Sequence, residues 1–360
     1  MMVGMAVLTM IVIILLLLLI IGIMLVVSQW KQPALMPAHQ KITMPDGRVL
    51  VGPDKSLGQG AFGKVHRYTL DNQPVAVKTP IRPADNERLQ HELALLKKAN
   101  PHPNIIKYIE QKKVNGNVWI FMALMQGTVR DLLHHIPGLS STTKLSIAIQ
   151  LATGVAYLHN LNSTRFYQHA IVHQDLKPDN LLLDTLSDDP KIKVKISDFG
   201  MARHREQLKL PLFGEIVVKL HQGSVGGTLQ YIAPEAKLAM TRRTECCELK
   251  SDVFSMGIIL WEIATACRPS RSTEEIEQGT FTEFYRDKAA DSKLMMQTSF
   301  FGAKTEIMTP SYPKSSFFGP IIDKCIRPQL NQRISASQTL KTLQELSADA
   351  TVMQKNRQDS

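Results

Sequence analysis

The chain has 360 residues, with 42 Lys and Arg against 32 Asp and Glu and a formal net charge of +10. Charged residues make up 21% and aromatics 6%, a balance that excludes a disordered or fibrous chain. Four cysteines, adjacent Cys246 and Cys247 and solitary Cys267 and Cys325, exclude a disulfide scaffold and lack the paired spacing of a zinc site.

Residues 1–27 carry no charged side chain and are hydrophobic everywhere except Gly4, Thr9 and Gly22. About 20 apolar residues cross a hydrocarbon core of roughly 30 Å, so this segment is long enough to span one. A cleaved signal peptide is the rival reading. It requires a basic start, a shorter apolar core and a small-residue cleavage site, none of which the segment has. Trp30 and Lys31 then stand where interfacial residues would. The segment therefore predicts an uncleaved transmembrane helix in the lipid bilayer. Lys31, Lys41 and Arg48 follow it and no basic side chain precedes it, which directs the bulk of the chain to the cytosol. On that orientation no ligand-binding ectodomain is expected. Residues 28–48, with Pro33, Pro37 and Pro45, read as an extended juxtamembrane linker. The net charge needs no nucleic-acid partner to explain it, since a mixed surface and a phosphate-binding cleft suffice.

Residues 57–65 read LGQGAFGKV, with Gly58, Gly60 and Gly63 between Leu57 and Val65. The spacing alone also fits a dinucleotide-binding turn or an ordinary Gly-rich hairpin. Val49, Leu50 and Val51 lead in as a strand, residues 65–70 (VHRYTL) lead out as another, and no helix follows. The glycines thus join two strands, where backbone N–H groups can approach phosphates without Cβ obstruction. Val75, Ala76 and Val77 form a short apolar strand ending on Lys78. Residues 85–98 have helical periodicity, with Leu89, Leu93 and Leu96 on one face and Glu92 beside it. A Lys projecting into a cleft and a Glu on a facing helix would hold each other, leaving the Lys placed to bridge nucleotide phosphates. Residues 102–105 (HPNI) break the helix.

Further on, residues 173–180 read HQDLKPDN, residues 198–200 read DFG and residues 233–235 read APE. With these motifs in order after the glycine segment and Lys78, the chain resembles a eukaryotic-type protein kinase from about residue 49 to 345. The resemblance implies an α+β bilobal fold preceded by one transmembrane helix. A small β-rich lobe would occupy 49–125, a larger helical lobe 126–348, and a tail 349–360. It implies ATP and Mg²⁺ as cofactors and protein substrates as partners. Asp175 would take or orient the proton of the substrate hydroxyl, Lys177 would face the transferred phosphoryl group, and Lys78 would bridge the α- and β-phosphates. Leu57, Gly58, Gly60, Gly63, Val65, Ala76, Lys78 and Glu92 would form the nucleotide cradle. Met122 would be the gatekeeper behind the adenine, with Ala123 and Met125 offering backbone groups to its edge. Asn180 and Asp198 would hold the metal, a hard cation suited to oxygen ligands.

Ser140 or Ser141 caps a predicted helix carrying Leu145, Ile149, Ala152, Ala156 and His159, and residues 251–265 form an all-round apolar helix. By resemblance, Asp252 binds the catalytic-loop backbone, and Glu235 pairs with Arg333. Lys177 and the Gly227-Thr228 pair before residues 233–235 follow the serine/threonine pattern, whereas residues 251–263 (SDVFSMGIILWEI) resemble tyrosine kinases and their tyrosine-kinase-like relatives. The expectation is a tyrosine-kinase-like serine/threonine kinase, with dual specificity as a variant. The non-enzymatic alternative is a membrane-anchored pseudokinase scaffold, against which the joint presence of Lys78, Glu92, Asp175, Asn180 and Asp198 speaks. Gln174 replaces the Arg that usually pairs with an activation-segment phosphate, so that switch is not expected, although Ser224 is the better phosphosite there. Residues 160–170 and 185–190 read as polar surface insertions. Residues 270–320 fit no motif and are assigned to docking.

Overall fold

Strand-forming sequence between residues 40 and 123 builds one antiparallel sheet. Its strands are β1 (Gln40–Thr43), β2 (Val49–Gln59), β3 (Gly63–Leu70), β4 (Gln73–Pro80), β5 (Tyr108–Val114) and β6 (Asn117–Ala123), in the order β1-β2-β3-β4-β6-β5. This computed structural model describes residues 16, 19, 40–44, 46–60, 62–164, 167–210, 214–220, 227–242, 244, 246–267, 269, 318–327 and 329–358. The predicted anchor at 1–27 lies outside the described residues except for Leu16 and Leu19. Among the described residues no helix is long and apolar enough to cross a membrane.

The apolar run of β6 explains why two cores meet at this sheet. Trp119 and Phe121 join Met44, Leu50, Tyr68, Leu70, Val75 and Val77 in a small cluster on one face. Val118, Ile120 and Met122, alternating with them, enter the large core on the other. Helix α1 (Asn86–Ala99) belongs to that large core through Leu89, Leu93, Leu95 and Leu96. It begins one residue later than its periodicity suggests, because Pro83–Asp85 forms a 3₁₀ turn. It stops at Asn100, whose side chain donates to Leu96 O and Ile106 O before Pro101 ends the pattern. The next strand opens at Tyr108.

The second lobe is helical. Helix α2 (Val129–His135) starts from a Thr128–Asp131 capping box, and α3 (Ser141–His159) from Ser140, whose Oγ accepts from Thr143 N. Helix α4 (Pro234–Arg242) precedes α5 (Leu249–Thr265), which is buried at every residue from Ser251 to Ile263, as its composition predicts. Helices α6 (Gly319–Cys325) and α7 (Ala336–Gln358) complete the described part, α6 against α5 and α7 along α3. Two three-stranded sheets flank the helices. One joins β7 (Gly127–Thr128), β9 (Leu181–Leu183) and β10 (Val194–Ile196); the other joins β8 (Tyr167–Val172), β11 (Arg203–Leu210) and β12 (Gly214–Leu220).

Three expectations are corrected. Residues 28–48 are not all linker, since Gln40–Thr43 pairs with Val49–Gly52 while Met44 is buried in the small cluster. The 160–170 insertion is not wholly a surface excursion: its last four residues, Tyr167–Ala170, begin β8, paired with β11, and Ala170 is fully buried. The 349–360 tail is continued helix as far as Gln358. Residues 270–317, where docking was expected, lie outside the described residues.

Candidate active site

Strand register brings the first group of predicted residues together. Val65 lies opposite both Gly58 and Lys78, and Lys78 opposite Ile120. Ala76 lies opposite Met122 and two residues from Lys78, so Val65, Ala76, Lys78 and Met122 share one face. Leu57 is exposed at the end of β2, and Met125 packs on the large core just past β6. Ala123 N–H donates to Lys107 O, so the backbone group it can offer a ligand is its carbonyl. Gly63 has a packing reason: a Cβ there would meet Lys78 Cε at 2.9 Å and Thr79 O at 3.2 Å. A Cβ on Gly60 would come 3.9 Å from Asp198 Oδ2, so the glycine turn lies over Asp198.

Lys78 is the hinge of the cleft. Its Nζ donates to Glu92 Oε1 and Oε2 at 2.6 and 2.7 Å and to Asp198 Oδ1 at 2.8 Å. Burial alone would pull its pKa down, but the Asp198 and Glu92 carboxylates outweigh it and hold the ammonium above its usual range. Lys78 in turn is the main cause that lowers Asp198 to about 2. Glu92 is the outlier: burial pushes it up to about 6 against the pull of Lys78.

A second hub forms around Asp175, in the loop between β8 and β9. Oδ1 accepts from Thr228 N at 2.8 Å and from Thr228 Oγ1 at 2.7 Å. Oδ2 accepts from Lys177 Nζ at 2.7 Å and Asn180 Nδ2 at 3.2 Å. Lys177 also donates to Thr228 Oγ1 at 2.8 Å. An ionised carboxylate offers about four acceptor sites, and these contacts fill them. Asn180 spends its Nδ2 on Asp175, leaving Oδ1 as the atom with which it could hold a cation. Together with the acidic Asp198 this makes an all-oxygen donor set, which fits a hard divalent ion and its nucleotide phosphates.

The loop itself hangs on one buried carboxylate. Asp252, at the start of α5, accepts from His173 N at 2.8 Å, Gln174 N at 2.9 Å and His159 Nε2 at 2.9 Å. His173 Nε2 donates to Ser197 O at 2.9 Å, next to Asp198. Gln174 and Asp198 both have left-handed backbone, φ 65° and 63°, a conformation that costs non-glycine residues roughly 1–3 kcal/mol and marks functional turns. Gly227 (φ 133°) cannot be anything larger, since a Cβ would stand 2.6 Å from Gln174 O.

A model of the protein kinase domain matches residues 52–343. The chain belongs to the protein kinase family. Over 252 residues it is 32% identical to a probable serine/threonine-protein kinase of Dictyostelium discoideum, covering 66% of this chain and 21% of that protein. Serine/threonine-protein kinase CTR1 of Arabidopsis thaliana is 36% identical over 224 residues, 60% of this chain and 24% of the relative. Dual specificity protein kinase shkD of Dictyostelium discoideum is 32% identical over 220 residues, 59% and 26% of the two chains. The chain therefore spans about a quarter or less of the length of these curated relatives.

Within this kinase domain, the segment after Asp198 shows what sequence reasoning missed. Thr228, singled out only through the pattern it shares with the family, touches both Asp175 and Lys177. Tyr231 is buried and donates to Glu262 at 2.7 Å. Ser224 lies outside the described residues. Glu235 and Arg333 pair at 2.7 Å, as expected. Gln174 donates to Cys246 O at 2.6 Å, and its Oε1 is buried without a hydrogen-bond partner among the described residues. Arg203 is 1% exposed, and none of its three guanidinium nitrogens has a hydrogen-bond partner among the described residues. Nothing in the sequence flags that burial.

Proposed function

We propose that the chain is an ATP-dependent serine/threonine kinase that phosphorylates protein substrates at the cytosolic face of a membrane. The observation that carries the reading is the Asp175 hub, a carboxylate fixed by a Lys, an Asn and a hydroxyl, whose loop is tied through His173 Nε2 and Ser197 O to the residue next to Asp198 of the Lys78–Glu92–Asp198 network. ATP with Mg²⁺, when bound, supplies the transferable γ-phosphoryl group and the neutralising charge. Asn180 Oδ1 and Asp198 are the residues that would hold the metal, and Lys78 would hold the phosphates, oriented by Glu92. Asp175 Oδ1 receives and orients the substrate hydroxyl in place of the Thr228 hydroxyl, taking its proton as the oxygen attacks. Lys177 Nζ, 2.7 Å from Asp175, stabilises charge on the transferred group. Met122, Ala123 and Met125 would receive the adenine. The full set of polar groups favours this reading over a pseudokinase scaffold.

The membrane assignment rests on the apolar length of residues 1–27 and the basic residues that follow. Alkaline extraction of membranes expressing the full chain should leave it in the pellet, with the kinase domain open to protease from the cytosolic side. Release by alkali overturns the anchor without touching the catalytic assignment. For the latter, the full chain purified in detergent should incorporate phosphate from ATP–Mg²⁺ into a generic protein substrate on Ser and Thr, and the Asp175→Ala variant should not. Phosphotyrosine, read separately, would widen the class to dual specificity. Nucleotide binding without incorporation would favour the scaffold.

A further inference from the structure

The insertion strand β8 and the strand β11 that follows Asp198 carry a second group of chemically active side chains. Register sets His169 opposite Glu206 and His204 opposite Ile171. His169 and His204 therefore lie diagonally across the two strands, while His204 and Glu206 are two residues apart on the same face of β11. One nitrogen from each imidazole and one Glu206 oxygen all lie within 4.8 Å of one another. The two rings stack at 5.8 Å with a 12° interplanar angle, and Tyr167 stacks on His169 at 6.4 Å. His204 Nδ1 is 3.5 Å from Glu206 Oε1. His204 is buried, while His169 and Glu206 are half-buried and reachable from solvent.

Two imidazoles and a carboxylate form a donor set for a borderline-soft divalent ion, bound at about 2.0–2.2 Å with a remaining position for water. Magnesium and calcium want oxygen donors and do not suit it. Donor atoms around a tetrahedral ion at those bond lengths are roughly 3.4 Å apart, which side-chain rotation of the half-buried His169 and Glu206 can supply. We propose that His169, His204 and Glu206 form a binding site for a zinc-class divalent transition ion. Such an ion fastens the insertion strand to the segment that leaves Asp198, Phe199 and Gly200, so its occupancy would couple metal supply to the seating of that segment. Three of the chain's four cysteines compete poorly for the ion, because burial pushes the Cys247 and Cys325 thiols up to about 12 and raises Cys246.

The test uses the full chain in detergent, stripped with chelator and kept in excess Mg²⁺ so that oxygen-only sites are occupied. Co²⁺ is titrated while its visible d–d absorption is read, and Zn²⁺ is then used to displace it against a chromophoric chelator. One equivalent per chain is expected, without a sulfur-to-cobalt charge-transfer band. The variants His169→Ala and Glu206→Gln should each weaken Zn²⁺ binding at least ~10-fold, since even outer-shell partners of a metal are worth about 10–100-fold. His169→Asn serves as a second, polar replacement, and metal-free circular dichroism spectra must match the metal-free parent. Absence of binding, unchanged affinity in the His169→Ala/Glu206→Gln double variant, or a thiolate charge-transfer band would each overturn the assignment. None of these readouts depends on kinase activity.

Discussion

Arg203→Met should make the protein more stable. The guanidinium is 1% exposed, and Nε, Nη1 and Nη2 have no hydrogen-bond partner among the described residues, so its donors have surrendered water without replacement there. A hydrogen bond to a charged group contributes about 1.5–3 kcal/mol, and a buried donor left unmade costs a similar amount. Replacing buried charged groups by packed apolar residues of like volume is neutral or stabilising by about 1–4 kcal/mol. Methionine keeps the unbranched shape and fills irregular space, so it removes the desolvation cost with little loss of packing. The expected gain is about 2 kcal/mol, which for a domain of this size corresponds to an increase in Tm of about 4 °C. Thermal and urea unfolding of the full chain followed by circular dichroism, at fixed scan rate, would measure it. Arg203→Lys, which retains a buried charge, should show no gain. A fall of several degrees for Arg203→Met would refute the reasoning, because it would mean that the guanidinium finds a counter-ion in solution.

Asp252→Ala strands two backbone donors and His159, and should cost roughly 3–5 kcal/mol by urea midpoint; Asp252→Asn, which keeps an acceptor, should cost visibly less. Gly227→Ala forces a Cβ to within 2.6 Å of Gln174 O at a left-handed backbone position, and should lower kcat by an order of magnitude or so while nucleotide affinity, measured by calorimetry, stays near the parent value. Glu92, pushed up to about 6 by burial, should protonate and release Lys78 as pH falls through 6, giving an acid limb in kcat/KM that Glu92→Gln lacks. The stability signs are opposite for the two carboxylates. The contribution of Glu92, raised from its ordinary 4.5, is complete below that value and is lost as pH rises through about 6. That of Asp198, lowered from 3.8 to about 2, is present above 3.8 and is lost as pH falls through about 2. Urea midpoints across this range, with Glu92→Gln as reference, separate the two.

The candidate site is legible where chemistry fixes residue type and spacing together. Lys78 on a short apolar strand and Glu92 on a periodic helix are expected to hold each other across a cleft, and the structure closes that pair bidentately. The Asp175–Thr228 contact spans residues too far apart for any local pattern, and only the likeness to a family pointed to Thr228. The 160–170 insertion misled because its polar first half ends in Tyr167–Val172, whose alternation is short and whose partner β11 lies beyond the DFG motif. β1 was obscured in the same way, a four-residue strand of mixed polarity among prolines that gains its place from the free edge of β2. Arg203 reads in sequence as a solvent-facing cation. Its burial is a tertiary effect, set by pairing with Val172 on one side of the sheet.

The Thr228 hydroxyl rests on Asp175 Oδ1 at 2.7 Å, where the reacting hydroxyl of a substrate is proposed to bind. The resting site thus carries its own placeholder. A lone water must evict that hydroxyl with no other contacts to help it, whereas a peptide docks along a surface and can spend that binding on the exchange. On the role proposed for Asp175, this contact disfavours attack by water relative to attack by a docked peptide hydroxyl.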